Sequence, residues 1–499
     1  MTLKLSQIQI RCRQVDQKPV LRSKKQTLGG LFNNAATLGV AFIGFATAVS
    51  PWAMAEDIGP QENLSEFLGI WGDELIVNLP TIQSRRLHSA ALATTPWSGT
   101  FWADHKGSIA VPYMEVNFPN LILNWGLNRQ ATFDLRPELT HNVVEQLSDA
   151  SVADLSPSEK LDLLIGNRGR NGRIEFTLSR RIVEMVDEMA SRDLTAVYTG
   201  ICHGWAPASL YSTRPQRVFT VRGPTGHNIA FYPADIKAYI SFAWAKAEVS
   251  NRDVKFTGLV CTSSRTDSAD RPIDPACSNV NPGFFHIAAI NKLGIKRQGL
   301  VMDRNWRREV QNQPFYNYRY YLYNPIDPEK RPGFDVNQLK VAVGSFTDPR
   351  APYRSDRATH IVGVRMAMDY GNEIRPVHRN VEDASHDEHS TLEMDYDLEL
   401  DAEGNIVGGE WRGGSEHPDT IWFIPHNSDG TPYVPLAKLD PLLGSDQWTS
   451  WSGTGPIPSN WASLYRQSVL NFENPPVAQV NRVPQIPYVI IESLLRLSR

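Results

Sequence analysis

Apolar residues recur at helical spacing in two neighbouring stretches of the chain. In the first, Leu155-Ser156-Pro157-Ser158-Glu159 reads as a helix start, with Ser156 as the capping oxygen, Pro157 in the first turn and Glu159 closing a capping box. Lys160-Leu161-Asp162-Leu163-Leu164-Ile165 carries that helix to Gly166. A second helix is predicted over residues 179–191, with Ile182, Val183, Val186 and Met189 as its apolar stripe. Residues 217–221 and 228–232 are β-rich runs around Pro224 and Gly226, a hairpin signature, and Pro233 opens a helix reaching about residue 248. Tyr316, Tyr318, Tyr320, Tyr321 and Tyr323 suggest alternating strand faces, and residues 359–368 read as a further strand. Asp395, Asp397, Glu399 and Asp401 alternate with Tyr396, Leu398 and Leu400, which predicts a half-buried strand with an acidic outer face. Glu403-Gly404-Asn405 turns the chain, and residues 406–411 return.

Two apolar runs, residues 281–290 and 299–303, each carry one polar residue of catalytic type, His286 and Asp303. A type II′ turn at Gly294-Ile295 makes them a hairpin in which His286 lies directly opposite Asp303 on one face. There the carboxylate holds the imidazole in the tautomer that takes a proton from a thiol. A helix over residues 285–293 is the competing local reading.

The thiol for such a pair stands in Tyr198-Thr199-Gly200-Ile201-Cys202-His203-Gly204-Trp205-Ala206-Pro207-Ala208, where a glycine turn meets a helix start. A helix N-terminus lowers a free-cysteine pKa of about 8.5 by placing partial positive charge beside the sulfur. Gly200 permits an abrupt turn, Gly204 leaves room for a substrate backbone, and Pro207 is tolerable only where the helix has barely begun. His203 is rejected as a base, because adjacent residues on a helix do not face each other. A buried structural cysteine is the bland alternative. Asn312 or Gln313 can donate to an oxyanion, as can the Cys202 amide, with Trp205 a weaker candidate.

Composition sharpens the choice. Residues 1–25 hold seven Lys or Arg against one Asp, an uncharged apolar run covers residues 38–49, and Ala53-Met54-Ala55 follows. That order reads as a secretory signal cleaved before Glu56. Its apolar run is too short to span a bilayer, and no other stretch qualifies, so a mature chain without a membrane span is expected in the periplasm or outside the cell. Removing the signal moves the formal charge from −4 to about −10, which argues against nucleic acid as a partner. With 41% hydrophobic residues, the chain can bury a large core. Cys12 leaves with the signal. In an oxidising compartment Cys261 and Cys277 can pair and close a polar loop, worth about 3 kcal/mol, which leaves Cys202 as a single thiol with a chemical role.

The sequence requires no cofactor. His378, His386, Asp387, Glu388 and His389 match no zinc motif of fixed spacing and read as a solvated polar loop, and the acidic row at 395–401 lacks the ligand order of a calcium loop.

With Cys202, His286 and Asp303 in that chain order, the sequence resembles the transglutaminase elicitor family of secreted protein-glutamine γ-glutamyltransferases. The likeness includes residues 97–102, 155–166, 200–208 and 231–238, then Asn281-Pro282-Gly283, Met302-Asp303, Asn312-Gln313-Pro314, Gly408-Gly409-Glu410-Trp411 and His417-Pro418-Asp419. It spans about residues 95–425. The resemblance implies Cys202 as nucleophile, His286 as base and Asp303 as its orienter, with a thioester to a protein glutamine passed on to a lysine amine. It also implies that calcium is a possible cofactor.

The expected architecture is α+β, with a papain/transglutaminase-like core, an antiparallel sheet and the nucleophile at a helix N-terminus. Residues 1–55 are the signal, 56–94 a lead-in, 95–427 the catalytic domain and 428–499 a C-terminal appendage containing Pro, Gly and Trp. Protein or peptide substrates bearing Gln and Lys are the expected partners. Two rival functions stay open: a papain-like cysteine protease or glutamine deamidase using the same three residues, and a catalytically inactive surface-binding protein.

Overall fold

Ser156 and Glu159 form the capping box that the sequence announces, Pro157 stands in the first turn, and Gly166 ends the helix in a left-handed conformation, φ 65°. The computed structural model describes residues 64–65, 68–70, 74–114, 146–169, 172, 174–196, 198–246, 254–258, 267, 280–304, 309–329, 332–413, 416–424, 451–470 and 486–499. Its helices are α1 (Leu79–Ser84), α2 (Asp149–Ala153), α3 (Pro157–Ile165), α4 (Thr177–Ser191), α5 (Cys202–Tyr211), α6 (Pro233–Lys246), α7 (Pro282–Ala288), α8 (Val336–Leu339), α9 (Ser459–Leu470) and α10 (Tyr488–Leu497). Its strands are β1 (Ser89–Ala91), β2 (Phe219–Arg222), β3 (Asn228–Phe231), β4 (Lys255–Gly258), β5 (Leu300–Asp303), β6 (Asn312–Tyr323), β7 (Val341–Ala342), β8 (His360–Gly371), β9 (His389–Leu400), β10 (Ile406–Trp411) and β11 (Thr420–Phe423).

Among the described residues, nine strands make one antiparallel sheet in the order β10-β9-β8-β6-β5-β11-β4, with β1 added on β6 and β7 on β8. β2 and β3 form the expected hairpin, Phe219 opposite Phe231 and Arg222 opposite Asn228. The large sheet divides the interior, because side chains alternate across a strand. Val301 of β5 and its cross-strand partner Trp422 of β11 point into one core, with Leu161, Ile182, Trp205 and Tyr239. Leu300, Met302, Ile421 and Phe423 point the other way, to Ile82 of α1 and to Phe285 and Ile287 of α7. The C-terminal stretch is part of this interior: Trp461 and Tyr465 of α9 and Ile490 and Leu494 of α10 fill the first core, and Tyr465 Oη donates to Asp162 at 2.7 Å.

Two expectations are corrected. Residues 281–303 form no hairpin turning at Gly294-Ile295. Asn281 caps α7 by accepting from the Gly283 and Phe284 amides, Pro282 takes its first turn, and a π-helical segment, Ala289–Ile295, follows. An unbroken apolar run suits a helix buried all round as well as a strand, and the Asn-Pro start decides between them. The acidic face of β9 is also not an outer one. Asp397 and Glu399 are buried around Arg354, which donates to them at 2.7 and 3.2 Å, while Arg412 donates to Asp397 at 2.8 Å.

Candidate functional site

α5 begins at Cys202 with no side-chain cap, and the Gly204 and Trp205 amides turn back to Ile201 O at 2.9 and 3.0 Å. The helix runs through Pro207 rather than starting there. Gly204 serves packing, not substrate approach, since a Cβ there would collide with Ser241 and Ala245 of α6.

A segment over residues 97–104 lies across this helix start. The Ile201 amide donates to Phe101 O at 2.6 Å, the Asp104 amide to Thr199 O at 2.9 Å, and Trp205 Nε1 to Trp97 O at 3.3 Å. Phe101, Ala103 and Tyr198 pack around Cys202, whose side chain is fully buried. A Cβ on Gly200 would strike Phe101, and one on Gly99 the Trp205 indole. The fit therefore leaves no room for a side chain at either glycine. With its N–H given to Trp97, Trp205 is not placed to serve an oxyanion.

Cys202 is not a free thiol here. Its sulfur is in a disulfide, and every other cysteine lies outside the described residues, the expected Cys261–Cys277 pair included. Oxidising surroundings drive any thiol that reaches a second cysteine into a bridge, so an odd count in the sequence does not secure a free sulfhydryl.

One predicted donor does meet the sulfur. Asn312 Nδ2 approaches Cys202 Sγ at 3.6 Å, and Asn312 Oδ1 accepts from Trp422 Nε1 at 3.0 Å. Asp303 is the cross-strand partner of Asn312 and shares its face, with Oδ1 accepting from the Gln311 amide at 2.8 Å. Gln313 has the opposite parity and faces the second core.

His286 is elsewhere. It is fully buried on α7, in the second core, with Nδ1 2.8 Å from Tyr396 Oη and its ring edge-on to Tyr320 at 4.8 Å. Tyr396 is its one hydrogen-bond partner among the described residues, and Nε2 has none. Tyr320 stands eight residues along β6 from Asn312, roughly 26 Å at strand rise. The expected bonds from His286 to Cys202 and to Asp303 are thus not made. Burial pushes the imidazole pKa down to about 3.

The other titratable groups near the helix start are dominated by burial. Asp104 on the covering segment is pushed up to about 6, with Lys246 pulling the other way, and His203 is pushed down to about 3 by burial and then by Lys246. No cluster of three or more His, Cys, Asp or Glu side chains arranged to hold a metal occurs among the described residues. The acidic row on β9 does not fit calcium, because Asp397 and Glu399 are committed to guanidinium groups and Asp401 accepts from the Glu403 and Asn405 amides. The polar loop is tied down: His378 stacks on Tyr232 at 3.9 Å, and Asp387 pairs with Arg214.

Sequence reasoning missed Trp422 and the covering role of Phe101. The aromatic density of residues 97–102 was the available signal for the cover. Nothing in the spacing of Trp422 announces a link to Asn312, which lies 110 residues away.

A family model described as Transglutaminase elicitor matches residues 184–433, a span containing Cys202, Asp303, Asn312 and Trp422. No curated protein matches. Among solved structures, the chain is similar to that of the GP42 transglutaminase from Phytophthora sojae, at 19% identity, covering 76% of this chain and 96% of that one, with a TM-score of 0.45. No helix of the described residues is long and apolar enough to cross a membrane.

Proposed function

The chain belongs to the transglutaminase elicitor family, and on that premise we propose that it is an exported protein-glutamine γ-glutamyltransferase with Cys202 as nucleophile. The observation that carries this reading is the 3.6 Å contact from Asn312 Nδ2 to Cys202 Sγ at an uncapped helix start. A sulfur with helix amides on one side and an amide donor on the other is set up to hold negative charge.

In this proposal an external dithiol first reduces the disulfide by exchange, leaving Cys202 as a thiol while the dithiol becomes the new disulfide, and residues 97–104 lift from the helix start. The Cys202 thiolate attacks the γ-carboxamide carbon of a protein glutamine, forming a C–S bond and an oxyanion that accepts from Asn312 and the Cys202 amide. Asp303 takes the thiol proton as the sulfur attacks and gives it to the nitrogen as collapse breaks the C–N bond, so that ammonia leaves. A lysine amine then attacks the thioester. Its new C–N bond forms as the C–S bond breaks, its proton goes back to Asp303, and the thiolate is restored. His286 has no part, because it belongs to the opposite face of the sheet.

The test is incorporation of a labelled primary amine into a glutamine-rich protein, with reductant, with and without added calcium, by the wild-type chain and by Cys202→Ala. Incorporation by the wild type alone is the expected result. Ammonia release without incorporation overturns transfer in favour of hydrolysis.

A second reading, a non-catalytic secreted binding protein, is favoured by the covered and oxidised state of Cys202. It predicts neither incorporation nor ammonia release after reduction.

A further inference from the structure

We propose that Trp422 is a positioning residue for the Cys202 site, acting through Asn312; the proposal rests on the reading of Cys202 as nucleophile. An indole N–H can only donate, so the Asn312 atom that it meets at 3.0 Å is the carbonyl oxygen. That contact leaves the NH2 group of the same carboxamide to face Cys202 Sγ at 3.6 Å. Rotated by half a turn, the carboxamide would offer the sulfur an oxygen, which repels a thiolate instead of stabilising it.

The sheet makes this reach possible. β5 lies between β11 and β6, and Trp422 is paired with Val301 on the same face as Asp303 and Asn312, so the indole extends over β5 to the neighbouring strand. Asn312 is fully buried and Trp422 nearly so, which keeps water from replacing the indole as the group that sets the amide. The sequence from indole to carboxamide to sulfur is a chain of two donors, each fixed by the one before.

The titratable groups on the elements around Cys202 are Asp104 on the covering segment, His105 and Lys106 just after it, Tyr198 ahead of α5, His203 and Tyr211 on α5, Asp235, Lys237, Tyr239 and Lys246 on α6 and Asp303 on β5. All are retained in Trp422→Phe, which keeps an aromatic ring and removes the N–H. In reduced protein, the ionisation of Cys202 is read as thiolate ultraviolet absorbance against pH, taken as the difference from Cys202→Ser. A hydrogen bond to a charged group predicts a rise of about one to two in the Cys202 pKa for Trp422→Phe. Asn312→Ala gives a similar rise, and the double variant gives no more than Asn312→Ala alone. Trp422→His, which retains a ring N–H, restores part of the low value.

A Trp422→Phe titration superimposing on that of the wild type overturns the proposal. So does a rise that adds fully to that of Asn312→Ala. Should Trp422→Phe be too unstable to titrate, Asn312→Ala decides, because an unmoved thiol there removes the link through which Trp422 acts. Amine incorporation is measured in parallel. Its absence from the wild type sinks the transferase reading while leaving the indole-to-sulfur link to the titration.

Discussion

Cys202 and His286 lie on opposite faces of one antiparallel sheet. Asn312, which touches the sulfur, shares a face with Asp303, Val301 and Trp422, whereas the imidazole sits among Tyr320, Tyr396 and Phe285 behind the alternate residues of the same strands. A bulge between Phe315 and Asn317 shifts the register of β6, so Tyr318, Tyr320 and Leu322 join the second core although Asn312 faces the first. The backbone of the sheet stands between base and thiol, and no side-chain rotation brings them together.

Replacing His286 by Phe tests this arrangement. Burial lowers the imidazole pKa from 6.5 to about 3. The unfolded chain therefore binds a proton that the folded chain refuses, and stability contributed by the neutral ring is present above about pH 6.5 and is lost as pH falls toward 3. His286→Phe keeps an aromatic ring, though a larger one, and loses the bond to Tyr396, costing about 1 kcal/mol or more near neutrality, and makes the acid-side decline shallower. Denaturant unfolding across pH measures both. Amine incorporation is expected to survive; a folded variant with incorporation abolished would return the ring to the chemistry.

Gly99→Ala addresses the cover. A methyl group there has no room beside the Trp205 indole. The segment must back away from α5, at a cost of about 1–3 kcal/mol. Since 1.4 kcal/mol is a factor of ten in an equilibrium, reduced Cys202 is expected to react with iodoacetamide roughly tenfold faster than in the wild type. Unchanged labelling, with the melting temperature also unchanged, would show that residues 97–104 do not control access to the sulfur.

How much of this was legible depended on whether a local signal had a competitor. The capping box at Ser156 and the hairpin at residues 219–231 had none, because cap, proline and glycine all pointed one way, and both formed as read. The run at residues 281–303 had one. Its apolar residues suit either element, and the Asn281-Pro282 cap that decides for a helix is a two-residue signal at its very edge. Cys202 at a helix start and Asn312 as a donor were both within reach, since each rests on chemistry carried by a single residue. Trp422 was not, because its role exists only through strand order: β11 is the last of the described strands in sequence and inserts beside β5. The acidic row on β9 misled for a related reason. Alternation states which residues share a face, but not whether a distant arginine covers it.

Glu373 gives a prediction on the alkaline side. Its carboxyl is pushed up to about 8 by burial, against a smaller opposing pull from Arg304, and its backbone bridges to Gly99 in the covering segment. The folded chain keeps a proton that the unfolded chain has released above about pH 4.5. Stability is therefore expected to fall as pH rises from about 4.5 toward 8. Glu373→Gln, neutral throughout, should flatten that part of the curve of melting temperature against pH. A variant curve parallel to that of the wild type would mean that the carboxyl is ionised in the folded protein.

Arg354→Leu tests whether the acidic row is a buried charge cluster or a face waiting for a cation. Arg354 donates to Asp348 at 2.9 Å, to Asp397 at 2.7 Å and to Glu399 at 3.2 Å, and among the described residues only Asp397 has a second guanidinium, from Arg412. Burial raises the Glu399 pKa to about 7, with Arg354 as the principal group holding it down. Leucine keeps apolar bulk but leaves Glu399 and Asp348 without the guanidinium they share, and breaking a buried pair from one side costs about 3–5 kcal/mol. Without the guanidinium the Glu399 carboxyl is pushed further up, because its principal opposing charge is gone. The loss should then be largest above neutrality and smaller as pH falls and the carboxyls take up protons, which urea unfolding at about pH 8 and about pH 5 will resolve. A loss of the same size at both values would assign the role of Arg354 to packing by its aliphatic stem.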